Sequence, residues 1–422
     1  MIASWLRDVT QYKNVFADFQ ISHFYRWLKT PTSLLYDPAL RRTLYNLMKK
    51  LFLMLVAEFR RLGSLIVYAD FNKILINTKK DSVMEGIGYV EFVVQSIRNK
   101  ELFHGIDIRY KQCWTHLLWL DEANYAGIQG KLPEGLTEVG SSQLPAASEE
   151  NGEEEGMIAM QWNLANFLPG GVREQFAAAV AGLLAAAHAQ PQQLAALVQG
   201  EISQKLFQVT EKISARLPTL RAADLRPQPG LKEDAFAGDV TPALLFVNAV
   251  CKVFSLDPAI QDEVTLLRRN LLRLVGVGEF SGAGEWREPC ASCVLGEIIC
   301  RVCNRCRDLD LCRDTHRDTT RDVPVCLCPT CDTPYDNHEL EWRLIEVMNR
   351  RTMAYTLQDL ICSRCHQVKR ENLAVTCECA GDFALMVPAG ELRAQLATLR
   401  TIAEYYRMPL LLELITFNLS NM

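Results

Sequence analysis

The sequence holds no apolar run of the ~18 residues needed to span a bilayer, so a transmembrane helix is not expected. It has no cationic surplus either. Its 45 Lys and Arg stand against 50 Asp and Glu, a net charge of −5, which offers nucleic acid or an anionic membrane no general attraction. No export signal opens it, because the stretch after Met1 is mixed, with Trp5, Arg7, Asp8 and Lys13. A reducing compartment is therefore expected, where thiols serve as metal ligands and disulfides are rare. The fifteen cysteines are not spread along the chain as a disulfide framework would spread them; all but Cys113 and Cys251 cluster in its last third. At 49% hydrophobic and 23% charged, the 422 residues read as globular, enough for two or three domains.

What is present in that last third is metal-ligand spacing. Cys300 and Cys303 form one C-x2-C knuckle and Cys328 and Cys331 a second. Cys362 and Cys365 form a third, answered by the tighter C-x-C of Cys377 and Cys379. Two knuckles joined by a loop bring four thiolates to one tetrahedral point, the arrangement of a structural Zn²⁺. Four thiolates leave no open position for water or substrate, so such sites fold the chain and do not catalyse. Each would contribute on the order of 10 kcal/mol to folding. Cys290, Cys293, Cys306, Cys312 and Cys326 lie near the first quartet and are also candidate ligands. Cys300-x2-Cys303-x2-Cys306 matches the start of a run that holds a [4Fe–4S] cluster, but Cys312 is six residues on and no proline follows. The spare cysteines read as small buried residues. His316, His338 and His366 read as surface histidines, because both quartets are already complete.

The chain is expected to be α+β. Residues 1–62 read as helical, with Leu40, Leu44, Leu47, Leu51, Leu55, Phe59 and Leu62 forming one apolar core stripe. Residues 64–70 and 73–78 read as two strands of a hairpin, and Asp81-Ser82 as the cap of a helix running to about Arg98. From 123 to 156 Gly, Pro and Ser accumulate around the acidic run Glu149, Glu150, Glu153, Glu154 and Glu155, a flexible solvated insert. Residues 172–216 predict two helices broken near Pro191, 242–275 two more, and 391–419 closing helices that bracket Pro409.

At the hairpin stands Tyr68-Ala69-Asp70-Phe71-Asn72-Lys73. A polymerase places two carboxylates there, as Asp-x-Asp, to hold the two Mg²⁺ ions of nucleotidyl transfer. Asp70 fits the first position, but Asn72 stands at the second, and a neutral amide cannot replace a carboxylate for a hard cation. By turn chemistry alone Asp70 and Asn72 read as ordinary turn residues.

Longer strings decide the comparison. The hairpin and its helix, Cys113-Trp114 with Leu117-Leu118-Trp119, and Asn124-Tyr125-Ala126-Gly127-Ile128-Gln129-Gly130 resemble the C-terminal half of the catalytic subunit of DNA polymerase epsilon, a B-family polymerase. The segments 270–280, 303–312, 355–360 and 379–385 are similar to it as well. The resemblance implies an inactivated polymerase-like module followed by two cysteine motifs. Residues 1–122 would be its palm-like region, 123–156 the acidic insert, 157–285 a thumb-like helical region, 286–383 the cysteine-rich module with its two metal sites, and 384–422 the C-terminal helices. The family pattern assigns Cys300, Cys303, Cys328 and Cys331 to one site and Cys362, Cys365, Cys377 and Cys379 to the other. Exonuclease and further polymerase motifs are absent from these residues, so the chain is expected to be a segment of a longer polypeptide.

The function so implied is a non-catalytic scaffold in the nucleus, serving leading-strand DNA replication and DNA repair. It would dock the replicative helicase and the B-type accessory subunit of the polymerase, with DNA a partner of the holoenzyme and no membrane involved. The parent polypeptide would be a DNA-directed DNA polymerase, a nucleotidyltransferase; this chain lacks an intact polymerase site, so it has no catalytic residues of its own. Two alternatives differ in class. An active polymerase segment is opposed by Asn72. A zinc-dependent DNA-binding module is opposed by charge, because residues 300–383 carry 12 Lys and Arg against 14 Asp and Glu, where a phosphate track needs a cationic surplus.

Overall fold

Helix signals in the first sixty residues are strong and local. Asn14 accepts the Phe16 N–H to start α2 (Val15–Lys29), which follows α1 (Ile2–Tyr12). Asp37 accepts the Ala39 and Leu40 N–H groups at 2.8 and 3.2 Å and starts α3 (Pro38–Arg61), with Pro38 in the first turn where its missing N–H costs nothing. The computed structural model describes residues 2–421 apart from 31–32, 81, 104, 107, 133–156, 218–227, 232–240, 279–280, 283, 304–305, 319–322, 329–330 and 371–373. These fall into two compact units, Met1–Leu117 with Gly127–Ala159, and Leu118–Ala126 with Met160–Met422.

In the first unit, β1 (Leu65–Ala69) and β2 (Ile74–Asn77) pair antiparallel, Leu65 opposite Asn77 and Ala69 opposite Ile74, with a bulge between Ile66 and Tyr68. Ser82 then caps α4 (Val83–Arg98) by accepting the Glu85 N–H, as expected. Leu55, Phe59, Val93, Ile97 and Phe103 form the core, with Ile66, Ile74, Ile76 and Tyr89 packed against it. The apolar stripe of α3 is not core along its whole length. Leu55 and Phe59 are buried, while Leu40 is 48% and Leu47 60% exposed. At 24 residues α3 is ~36 Å long and outruns the hairpin and the 16-residue α4 that cover its C-terminal half.

β3 (Cys113–Asp121), β4 (Asn124–Gly130) and β5 (Ile158–Trp162) make a three-stranded sheet in that order. Composition predicts the acidic insert from 123, yet 124–130 is strand, with Ala126 and Ile128 buried. Its glycines mimic a loop composition for a packing reason. A Cβ on Gly127 would stand 2.6 Å from the His116 carbonyl oxygen and 2.8 Å from the Trp114 ring. The rest of the insert, 133–156, lies outside the described residues, including its glutamates.

The second unit carries α5 (Gly170–Ala189), which stops just before Pro191, then α6 (Leu194–Leu197), a π-turn at Val198–Ile202 and α7 (Ser203–Arg216). α8 (Pro242–Phe254) and α9 (Gln261–Leu274) complete the helical part. Phe176, Leu184, Phe246, Val250, Phe254 and Leu271 are wholly buried there. Among the described residues no single helix is long and apolar enough to cross a membrane.

The cysteine-rich part is built from small antiparallel pairs. β6 (Val294–Ile299) pairs with β7 (Cys306–Asp310), β8 (His316–Asp318) with β9 (Val323–Val325), and β10 (Leu360–Cys362) with β11 (Phe383–Leu385). Between them runs α10 (Asn337–Leu357), and α11 (Ala389–Tyr406) and α12 (Pro409–Ser420) follow. The closing helices do not stand apart from the module. Leu392, Leu396, Ile402, Leu411 and Ile415 share one core with Cys300, Cys328, Leu309, Leu311 and Leu344. Mixed helices and antiparallel strands match the expected α+β class.

Two buried polar groups lock this core. Tyr406 on α11 donates to the Leu311 carbonyl at 3.0 Å and accepts from the Cys326 thiol at 3.2 Å. Glu341 on α10, 4% exposed, accepts the Leu411 N–H at 3.0 Å and so caps α12, which has no side-chain cap of its own. Tyr406→Phe leaves a buried carbonyl and a thiol without partners, and is expected to cost about 1–3 kcal/mol. Urea unfolding of the full chain checks this; an unchanged midpoint contradicts the role given to the hydroxyl.

Candidate metal centres and the hairpin carboxylate

The first centre forms where two strands run out. Cys300 follows directly on β6, and Cys303 lies in the turn before β7. Cys328 and Cys331 sit in a second turn closed by Asp332 N–H to Cys328 O at 2.8 Å and Cys328 N–H to Thr333 O at 3.0 Å. The structure interleaves the two knuckles: Cys300 Sγ lies 3.5 Å from Cys331 Sγ, and Cys303 Sγ 3.6 Å from Cys328 Sγ. All four sulfurs lie within 4.8 Å of one another.

The second centre repeats the design. Cys362 N–H donates to Gln367 O and His366 N–H to Cys362 O, closing one knuckle at 2.9 and 3.0 Å. Cys377 N–H to Gly381 O and Ala380 N–H to Cys377 O, at 2.9 and 2.8 Å, close the other. The sulfurs of Cys362 and Cys379 are 3.4 Å apart, those of Cys365 and Cys377 3.5 Å, and the four again fall within 4.8 Å. Three knuckle turns reach back through a left-handed residue, Asp332 at φ 52°, His366 at φ 57° and Ala380 at φ 59°. His366 therefore serves as a turn residue, and His338 is an exposed side chain 3.6 Å from Glu341.

Sulfur environments differ between two of the quartet cysteines and the buried spare ones. Backbone N–H groups of Cys365 and Arg364 point at Cys362 Sγ at 3.5 and 3.4 Å and pull that thiol down to about 6. A hydrogen bond with Thr333 pulls Cys331 below its ordinary value. Burial instead pushes Cys293 and Cys326 up to about 11. A hydrogen bond with Cys290, then burial, drives Cys312 well above the thiol range. Metal ligation needs the thiolate, which the donors at Cys362 and Cys331 favour and burial of Cys293 and Cys326 opposes. Within the second quartet Cys365 goes the other way, the Gln367 N–H pulling it down but its hydrogen bond with Cys379 and burial pushing it up to about 12. Cys290, Cys293, Cys312 and Cys326 are buried, Cys306 is half-buried, and the fifteen cysteines are free of disulfides. Asp310 organises the spare group, accepting the Cys293 and Cys312 N–H groups at 3.1 and 3.0 Å and the Ser292 hydroxyl at 2.7 Å. Arg313 pairs with Glu288, Asp121 and Asp310 at 2.6, 3.3 and 3.8 Å; sequence reading does not single out either residue, and no motif marks them.

Four sulfurs about 2.3 Å from one tetrahedral Zn²⁺ stand ~3.8 Å apart, so both quartets fit a single ion in donor type and spacing. Bound there, zinc would supply cross-linking of the chain and no chemistry on a substrate. Among the described residues these are the only groups of three or more His, Cys, Asp or Glu so gathered.

The hairpin carboxylate is used differently. Asp70 Oδ1 accepts the Asn72 and Lys73 N–H groups at 2.6 and 2.7 Å, and Oδ2 accepts the Tyr68 hydroxyl at 3.0 Å. It closes the turn, and Asn72 beside it is exposed.

Residues 283–354 and 356–413 match two families, each described as a zinc finger domain of DNA polymerase-epsilon, and residues 1–128 match a domain of unknown function, DUF1744. A DNA polymerase epsilon catalytic subunit of Arabidopsis thaliana is 29% identical over 99% of this chain and 19% of its own length. That of Emericella nidulans is 31% identical over 97% of this chain and 20% of its own length, and that of Schizosaccharomyces pombe 28% over the same shares. The chain thus spans about a fifth of the curated relatives it matches.

The second centre is the more open, with Cys365 exposed where Cys300 and Cys328 are buried. A chelator is expected to strip it first. Gly381→Ala should empty it alone, since a Cβ there would stand 2.5 Å from Cys362 Sγ. Elemental analysis should find two zinc ions per wild-type chain and one per Gly381→Ala chain. Unchanged content in the variant, or loss of both ions, contradicts the assignment.

Proposed function

We propose that this chain, homologous over nearly its whole length to DNA polymerase epsilon catalytic subunits, is a non-catalytic scaffold in a nuclear replicative polymerase. In this reading residues 1–122 are a palm-like region without catalysis. Support comes from Asp70, whose carboxylate is taken up by two backbone N–H groups and a tyrosine hydroxyl, beside an amide where nucleotidyl transfer needs a second carboxylate. The ligands are Cys300, Cys303, Cys328 and Cys331 in one site and Cys362, Cys365, Cys377 and Cys379 in the other. Zinc is the metal in this reading. The compactness of each quartet supports one ion over a [4Fe–4S] cube, whose four irons hold their thiolates further apart.

The scaffold docks the replicative helicase and the B-type accessory subunit. Exposed apolar side chains in the cysteine-rich part and its helices support a protein surface: Trp342, Met353 and Leu357 on α10, Met386 after β11, and Phe417 on α12 are 57–74% exposed. The near balance of charge in residues 300–383 supports protein over phosphate as the partner there.

Two experiments test this. With primed template, Mg²⁺ and nucleotides, the chain should extend no primer; extension that Asp70→Ala abolishes contradicts the inactive reading. In a pull-down the zinc-loaded chain should retain the accessory subunit with little dependence on salt, and Trp342→Asp with Phe417→Asp should weaken it at least tenfold while zinc content stays at two. Failure to retain that subunit, together with tight zinc-dependent DNA binding, favours the DNA-binding alternative.

A further inference from the structure

Residues 1–80 carry thirteen Lys and Arg against five Asp and Glu, although the whole chain is net −5. Three of those acids are engaged. Asp37 caps α3, Glu58 pairs with Arg61 and Lys100, and Asp70 closes the hairpin turn. Arg42 and Lys49 are exposed on α3 and have no ion-pair partner among the described residues. Seven residues apart, they share one side of the helix. Tyr45 and Phe52 also lie seven apart, on the strip beside them. The hairpin tip folds onto that strip: the Phe71 ring centre is 5.9 Å from Tyr45 and 5.1 Å from Phe52. Even so, Tyr45 is 51% and Phe71 46% exposed. Lys73, in the same turn, holds its Nζ 5.4 Å from the Tyr68 ring centre.

A solvated basic helix explains the cations but not two aromatic rings kept at the surface among them. Cations spaced along a backbone track, with rings that offer flat faces between them, are what an unpaired strand requires: phosphates are neutralised and bases stack. A duplex hides its base faces and would leave the rings unused. We propose that this face of α3 and the hairpin binds single-stranded nucleic acid, with Arg42, Lys49 and Lys73 on phosphates and Tyr45 and Phe71 on bases. The site is independent of the docking reading above and of the metal centres.

The test is fluorescence anisotropy of the full zinc-loaded chain with labelled oligo(dT), oligo(U) and a duplex of equal length, across a salt series. Three phosphate contacts give a slope of log affinity on log salt of about −2, at about −0.7 each. Phe71→Ala should weaken single-strand binding about five- to hundredfold, and Phe71→Trp, which keeps a stacking face, should retain it. Arg42→Gln with Lys49→Gln should flatten the slope to about −0.7. Circular dichroism and zinc content confirm that each variant is folded. Preference for either single strand over duplex supports the site and tells DNA from RNA. Equal binding of duplex with no effect of Phe71→Ala, no effect of the Arg42 and Lys49 changes, or loss of binding when zinc is chelated would each overturn it.

Discussion

Four cysteine sulfurs within 4.8 Å of one another repel as thiolates and crowd as thiols. Each quartet is therefore an arrangement that only a cation at its centre makes favourable, and the cysteine-rich part of the second unit depends on that condition twice. Its strands are three to six residues long and pair only two by two. Such hairpins are marginal alone. Three knuckle turns hold non-glycine residues in the left-handed region, at Asp332, His366 and Ala380, which costs further free energy. The metal offsets these costs, and two of its ligands are prepared for it: the N–H groups aimed at Cys362 and the hydrogen bond at Cys331 favour the charged sulfur before any ion arrives.

The remaining cysteines show the opposite chemistry within a few residues. Cys293 and Cys326 are pushed up as thiols by burial, and Cys312 by its neighbour Cys290. A chain with nine cysteines between 290 and 331 must choose four of them for its first centre. Spacing narrows that choice. Burial, which disfavours the thiolate at Cys293 and Cys326, narrows it further, so misligation there is opposed by the fold and not by the motif alone.

Much of this is legible in the residues. The cap at Ser82, the hairpin at 65–77, the break before Pro191 and the knuckles are local signals, and local signals survive folding, whereas the breaks capped by Asn14 and Asp37 inside residues 1–62 show only in the structure. What fails is whatever depends on a distant partner. The glycines of 124–130 look like a loop because the close approach of β3 to Gly127 cannot be seen in composition. The leucines of α3 look like one core face because nothing in the helix tells where its cover ends. The fusion of α11 and α12 with the cysteine-rich core rests on Tyr406 and Glu341, two polar residues in apolar helices that carry no motif. Asp70 reads as a turn residue by its position, but the three donors that occupy its carboxylate become visible only in three dimensions.

That shared core has a consequence for the life of the chain in the cell. Cys300 and Cys328 lie in the same buried cluster as Leu396, Ile402, Leu411 and Ile415. A newly made chain that has not captured its first ion cannot seat its last two helices, and their leucines stay in view of chaperones and proteases, which triage such exposed surface. Metal supply then acts as a checkpoint on abundance: under zinc starvation the cell would hold fewer of these chains, and not a population of complete but defective ones.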